Sequence, residues 1–191
     1  MGGQNNLLRA NQASFIGGGQ DHVMYGPGEK WNTIGGGRYN RIINYATSSV
    51  IADGEENIIQ SSHRSAIAGG SNNNISHSVE SFIGGGQGNR LFNSDRSTII
   101  SGKVSLIEDS VDSTVLNSSE GNGVEITSGS NGSLGAGGGT IIHNSINSVC
   151  LNTGTIMSGS QYSVKTGGGP GTIKHAPFSF IGAAGSTTIT G

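Results

Sequence analysis

One cysteine in 191 residues excludes an intrachain disulfide, and Cys150, within Ser148-Val149-Cys150-Leu151, reads as a small buried apolar side chain. Charge is equally thin: ten Lys and Arg against twelve Asp and Glu leave a net of −2. No polybasic footprint for nucleic acid or anionic lipid exists. No run approaches the 18 apolar residues that a membrane-spanning helix needs. The opening Met1-Gly2-Gly3-Gln4-Asn5-Asn6 has neither a basic region nor an apolar core, so no secretory signal is read there. His22, His63, His77, His143 and His175 follow no metal-ligand spacing, and no phosphate-cradling Lys follows the glycine runs. Cofactors and metals are therefore not expected.

Repetition is what the chain does have. Ser81-Phe82-Ile83-Gly84-Gly85-Gly86-Gln87-Gly88-Asn89-Arg90-Leu91 recurs in variants at Ser14, Asn32 and Ser65. Units begin at Ser14, Asn32, Ser49, Ser65, Ser81, Ser97 and Ser113, then at Asn131, Asn147, Ser163 and Ser179, in steps of 16 to 18 residues. Aliphatic residues recur eight apart, as in Ile67 and Ile75 or Ile83 and Leu91. That is too sparse for a helix, which needs three or four per two turns. Short β-branched runs between Gly, Asn and Ser clusters signal strands and turns. Each unit is expected to form one coil of two strands and two corners, with Gly and Asn supplying positive φ. The fold class is all-β, a β-roll or β-helix solenoid. At the spacing of paired strands its eleven coils make a rod about 50 Å long.

With only 32% apolar residues and about two aliphatics per coil, one narrow roll should bury too little surface alone. The expectation is therefore an elongated homotrimeric fibre in which neighbouring chains complete the core. Residues 1–13 read as a lead-in or cap, 14–125 as regular repeats and 126–191 as a looser, Gly-rich part of the same fibre. All twelve acidic residues lie at or before Glu125, so the parts carry −4 and +2. Repetition runs to both ends without evident caps, which solenoids normally need, so a fragment of a longer chain is expected.

The Ser-x-Ile-Gly openings at Ser14, Ser81 and Ser179, with Asn32-Thr33-Ile34-Gly35, are similar to the head repeats of trimeric autotransporter adhesins of the YadA type and to Gly-rich repeats of phage tail fibres. The resemblance is close over residues 14–125 and loose beyond. It implies a parallel β-roll that trimerises about a shared axis and binds a host surface receptor or glycan outside the cell, on a cell surface or a virion. The units here are longer than most head repeats, and their Gly-Gly-Gly and Asn positions are unusual for that family.

Candidate ligand-binding residues follow from side-chain chemistry. Met24-Tyr25-Gly26-Pro27-Gly28-Glu29-Lys30-Trp31 holds the extra residues of the early units and is expected to bulge as a loop, with Tyr39 and Tyr45 one coil on. Aromatic faces stack on sugar rings. Arg41 and Arg90 share one position in the unit and Arg64 and Arg96 another, so each pair should align along the rod and could engage acidic glycans. No catalytic residue is expected. The alternatives are a tailspike-type enzyme cutting polysaccharide, using the carboxylates of Asp53, Glu55 and Glu56 or of Glu108, Asp109 and Asp112, and a purely structural spacer.

Overall fold

The computed structural model describes residues 3–9, 12–116, 123–151, 154–167, 169–182 and 185–191. The chain winds as a parallel β-solenoid whose strands alternate between two sheets. One sheet stacks twelve strands of three or four residues, from Leu7–Arg9 to Thr187–Thr190. The other stacks eleven strands of two residues, from Phe15–Ile16 to Phe180–Ile181. Each strand pairs with the equivalent strand one coil away, as Phe82 does with Thr98 and Leu91 with Ile107. Two narrower sides, held by single backbone bridges such as Gln20 to Arg38 and Thr47 to His63, join the sheets and make each coil four-sided.

Alternation explains the core. The middle residue of each three-residue strand and the second of each short strand point inward, giving columns such as Ile42, Ile59, Ile75, Leu91 and Ile34, Ile51, Ile67, Ile83, all fully buried. The residues eight apart in sequence are these two facing columns. They are closed within one chain, which corrects the expectation that a single roll is too thin to bury its own core. Three further inward positions are polar in most coils, with Ala46, Val124 and Ala176 among the exceptions, and the Asn and Ser that fill them are bonded chiefly along the rod.

The Asn column shows how. Asn73 Nδ2 donates to the carbonyls of Gly69 and Gly86 at 3.0 and 3.1 Å. Its Oδ1 accepts from the Asn89 amide at 3.0 Å, while its own amide donates to Asn57 Oδ1 at 3.0 Å. Asn40 and Asn57 repeat the pattern. Two serine columns do the same work at the other corners: Ser65 Oγ donates to the Ser78 carbonyl at 3.1 Å and accepts from the Ser81 amide at 3.2 Å. Glycine is required beside the Asn column. Gly70 has φ +86°, and a Cβ there would lie 2.2 Å from the Gly86 carbonyl oxygen.

The later coils keep both sheets but change register. From Thr114 to its partner Leu134 is twenty residues, then fifteen to Val149, fifteen to Val164 and sixteen to Phe180. The unit starts expected at Asn131 and Asn147 are therefore displaced: Ser133 and Ser148 take the inward serine position. Asn131 stands in a bridged side and Asn147 at a left-handed corner. What sets the register is the inward column, and there Gly135, Cys150 and Lys165 replace isoleucine, hiding the repeat.

Lys165 is the exception within the core. Its side chain is fully buried, and Nζ donates to the carbonyls of Gly169 and Gly167 at 3.0 and 3.4 Å. Room exists because Gly171 stands where earlier coils carry Asn or Thr; a Cβ there would meet Lys165 Cε at 2.4 Å.

Two outcomes follow for thermal unfolding followed by circular dichroism. Asn73→Ala strands the Gly69 carbonyl and the Asn89 amide inside the rod and lowers stability by about 2 kcal/mol, whereas Gln87→Ala on the surface changes it by less than about 0.5 kcal/mol. Equal effects would contradict the ladder. Gly171→Thr is destabilising beside Lys165 but tolerated with Lys165→Ile, so the double variant melts higher than the sum of the two single changes; simple additivity would contradict the packing.

Candidate functional site

Every coil turns its corners at left-handed residues whose side chains point out, and one corner forms a cleft. Tyr39, Glu56 and Asn72 occupy the same corner of three successive coils, with φ of +55°, +56° and +56°. Their amides donate back to the carbonyls of Gln20, Arg38 and Glu55 at 2.9, 3.0 and 2.9 Å, which fixes the turn whatever side chain it carries. Beside them Arg41 and Ile58, the first residues of strands Arg41–Ile43 and Ile58–Gln60, point outward in consecutive coils. These five residues line a shallow cleft of about 330 Å³. That is at the small end for ligand pockets.

The cleft joins one aromatic face, one guanidinium, one carboxylate, one amide and an aliphatic floor. Arg41 and Glu56 make no ion pair with each other or with another described residue. Other charged residues pair from coil to coil: Arg38 with Glu55 at 2.8 Å in the cleft's own coils, Arg64 with Glu80 at 2.8 Å and Arg96 with Asp112 at 2.7 Å.

The structure brings together two of the six residues expected from sequence, Tyr39 and Arg41. Arg90 shares the Arg41 row but lies three coils on, with its guanidinium over the Phe92 ring at 5.0 Å. Tyr25 ends the strand Val23–Tyr25 at the opposite edge of the long-strand sheet. Tyr45 stands at the corner beyond that edge and Trp31 at a further corner, and all three are exposed and without ring contact among themselves. The segment from Met24 to Trp31 does not bulge as a whole. Met24 is a core residue and Lys30 bridges to Gln12 and Thr47, so only the corner at Gly26-Pro27-Gly28 carries extra residues, against which Tyr45 packs.

Arg64 and Arg96 do align, but in a column that reads Arg64, Glu80, Arg96, Asp112. Arg96 donates to both Asp112 oxygens, at 2.7 and 3.0 Å, holding that carboxyl below its ordinary range. This column alternates in sign and offers no cationic stripe.

The carboxylates expected to cluster diverge. Asp53 accepts from the Gly54 amide at 2.7 Å, Glu55 pairs with Arg38, and Glu56 enters the cleft. Asp109 accepts from Asn93 and Asp112 from Arg96. Among the described residues no three His, Cys, Asp or Glu side chains converge as a metal would need. Ile58 and Asn72 were missed from sequence and Glu56 was read only as a carboxylate of the enzyme alternative, although 17 and 16 residues separate Tyr39, Glu56 and Asn72, which is the coil period itself.

Two buried titratable groups lie in the same early coils. His22 fills the Asn column; Asn40 donates its amide to Nδ1 at 3.1 Å, which places the proton on Nε2. Burial holds its pKa below the ordinary value. Glu29 fills a serine column, fully buried, with neither oxygen in a well-formed hydrogen bond and the Asn44 and Tyr45 amides as its polar neighbours. Burial raises its pKa. A comparison with family models and with curated protein sequences finds no match to this chain.

The two shifts give opposite pH slopes. The unfolded chain protonates His22 before the folded chain does, so stability falls as pH drops below about 6.5. The folded chain holds the Glu29 proton after the unfolded chain has released it, so that contribution fades as pH rises above about 4.3. His22→Asn, which restores the ladder residue, should flatten the loss of melting temperature between pH 7 and pH 5. An unchanged acid slope would remove His22 as its source.

Proposed function

We propose that this chain is a non-enzymatic, rod-like display element, part of a homotrimeric fibre at a cell or virion exterior, that recognises a host surface receptor or glycan through the cleft around Tyr39 and Arg41. The observation that carries this reading is the juxtaposition on one corner of the solenoid of an aromatic face with a guanidinium and a carboxylate that have no ion-pair partner among the described residues. Tyr39 offers its ring to a sugar face, Arg41 donates to a carboxylate or to hydroxyls, and Glu56 and Asn72 accept hydroxyl protons. Sheets on either side hold the backbone of all five residues, so little order is lost on binding. Glu56 is the one carboxylate lining the cleft, whereas glycoside hydrolysis uses a pair. That favours recognition over cleavage.

Screening the purified protein on a glycan array, followed by titration of any ligand found, tests this. Tyr39→Ala and Arg41→Ala should each weaken binding by about tenfold or more, while Trp31→Ala and Arg90→Ala leave it within about twofold. Loss on Trp31→Ala with Tyr39→Ala neutral would move the site to the opposite side of the rod. Retention by none of the glycans or surface extracts tested would favour a structural spacer, and release of reducing ends would favour the enzyme.

A further inference from the structure

The two sheets present different outer faces. On the long-strand sheet, charged side chains recur among the outward positions, including Arg9, Arg41, Arg90, Glu108, Glu125 and Lys174. On the short-strand sheet the residues flanking each inward one form two rows, and neither contains a charged residue in any of its eleven coils. The first row includes Phe15, Val50, Phe82, Leu134, Val149 and Phe180; the second includes Gly17, Gly84, Ile100, Leu116, Leu151 and Gly182. In a chain with 22 charged residues this exclusion runs the length of the rod.

The aromatic side chains of this face fold back onto it. Each of its three phenylalanines lies across the glycine two residues further on in the same coil. Phe15 and Phe82 bring Cε1 to 3.3 Å from where a Cβ would stand on Gly17 and Gly84, and Phe180 covers Gly182 in the same way. Where the second row is bulky, at Ile100 and Leu116, the first carries Thr98 and Thr114 instead. Bulk still varies along the strip, from the small pair Ala66 and Ala68 to the large pair Val149 and Leu151. Ile100, Leu116 and Leu151 remain 42–46% exposed in the single chain.

We infer that the outer face of the short-strand sheet is the surface on which a second copy of this chain packs. Eleven strands at ~4.8 Å and a strip about 10 Å wide give roughly 500 Å² per copy, or about 1,000 Å² in total, which reaches the size of a specific interface. A strip without charge can face its own copy with no like-charge repulsion and no buried ion. A patch of this extent is as large as the largest that a monomer commonly carries, and such patches are often functional. The inference names the surface for the association proposed above and does not depend on the cleft.

Light scattering on the purified chain, with circular dichroism as the folding check, tests it. The wild type should show two or three times the chain mass. Ala66→Arg with Thr98→Arg, on either side of Phe82, should reduce it to one chain mass while the β signal is kept. Asn74→Arg, in the long-sheet row that already carries Arg41 and Arg90, should leave the mass unchanged. A Thr98→Cys variant guards against misfolding of the charged one: its thiol should react with a maleimide at least tenfold more slowly in the assembled protein than after dilution to single chains. A wild type of one chain mass would overturn both the association and its surface. An assembly that survives the paired arginines, or a Thr98→Cys thiol equally reactive in both states, would overturn the surface alone.

Discussion

Each coil must reproduce the hydrogen bonding of the one before it, and the rest of the structure depends on that constraint. In a solenoid this narrow a buried polar group has no room for a partner across the coil. Its partner has to be the same group one coil further along. Asn fits because its amide donates twice and its carbonyl accepts, so Asn57, Asn73 and Asn89 each bind the coil ahead and the coil behind. Serine meets the simpler demand at the other corners. The core is therefore two apolar columns beside three largely polar ones, and the ladders make its composition strict.

Where the ladder residue changes, the surroundings change with it. His22 imitates Asn with one ring nitrogen accepting an amide, at the cost of a depressed pKa. Lys165 occupies an isoleucine slot because Gly171 has vacated the ladder position above its stem. The corners are free by contrast. Their backbone is set by bonds from one coil to the next, so Tyr39, Glu56, Asn72, Gly88 and Val104 can succeed one another in one column without altering the turn. This division explains why the cleft can sit on an invariant scaffold.

The coil and the two facing aliphatic columns were legible in the sequence, because they repeat at fixed intervals through the first seven units. The recurring Asn was expected at a positive-φ corner, but Asn40, Asn57, Asn73 and Asn89 are buried ladder residues and the left-handed backbone falls on Gly37, Gly54, Gly70 and Gly86. Register after Ser113 was not legible. Asn131 and Asn147 match the asparagine of an earlier unit start, but the true landmarks are the inward Ser133 and Ser148, which look like ordinary loop serines. The Met24–Trp31 segment was misread for a similar reason: Met24 does not resemble the isoleucines it stacks with, although Leu8 and Ile42 flank it in the sheet. Estimating the core from apolar content overlooked that laddered Asn and Ser can be buried at little cost. In the site, Tyr39 and Arg41 were found by residue type. Glu56 and Asn72 needed the period, and Trp31, Tyr25 and Tyr45 showed that nearness in sequence places residues on different sides of a four-sided coil.

The vertical direction of these bonds has a mechanical consequence. Every inter-coil hydrogen bond, backbone or ladder, runs along the rod, so a pull on its ends loads them head-on rather than in shear. The end coil carries that load with neighbours on one side only. Under tension the rod gives way there first, paying out a coil of sixteen residues, about 55 Å of extended chain, before the next is exposed. Such a chain lengthens stepwise under force while its remaining coils keep their shape.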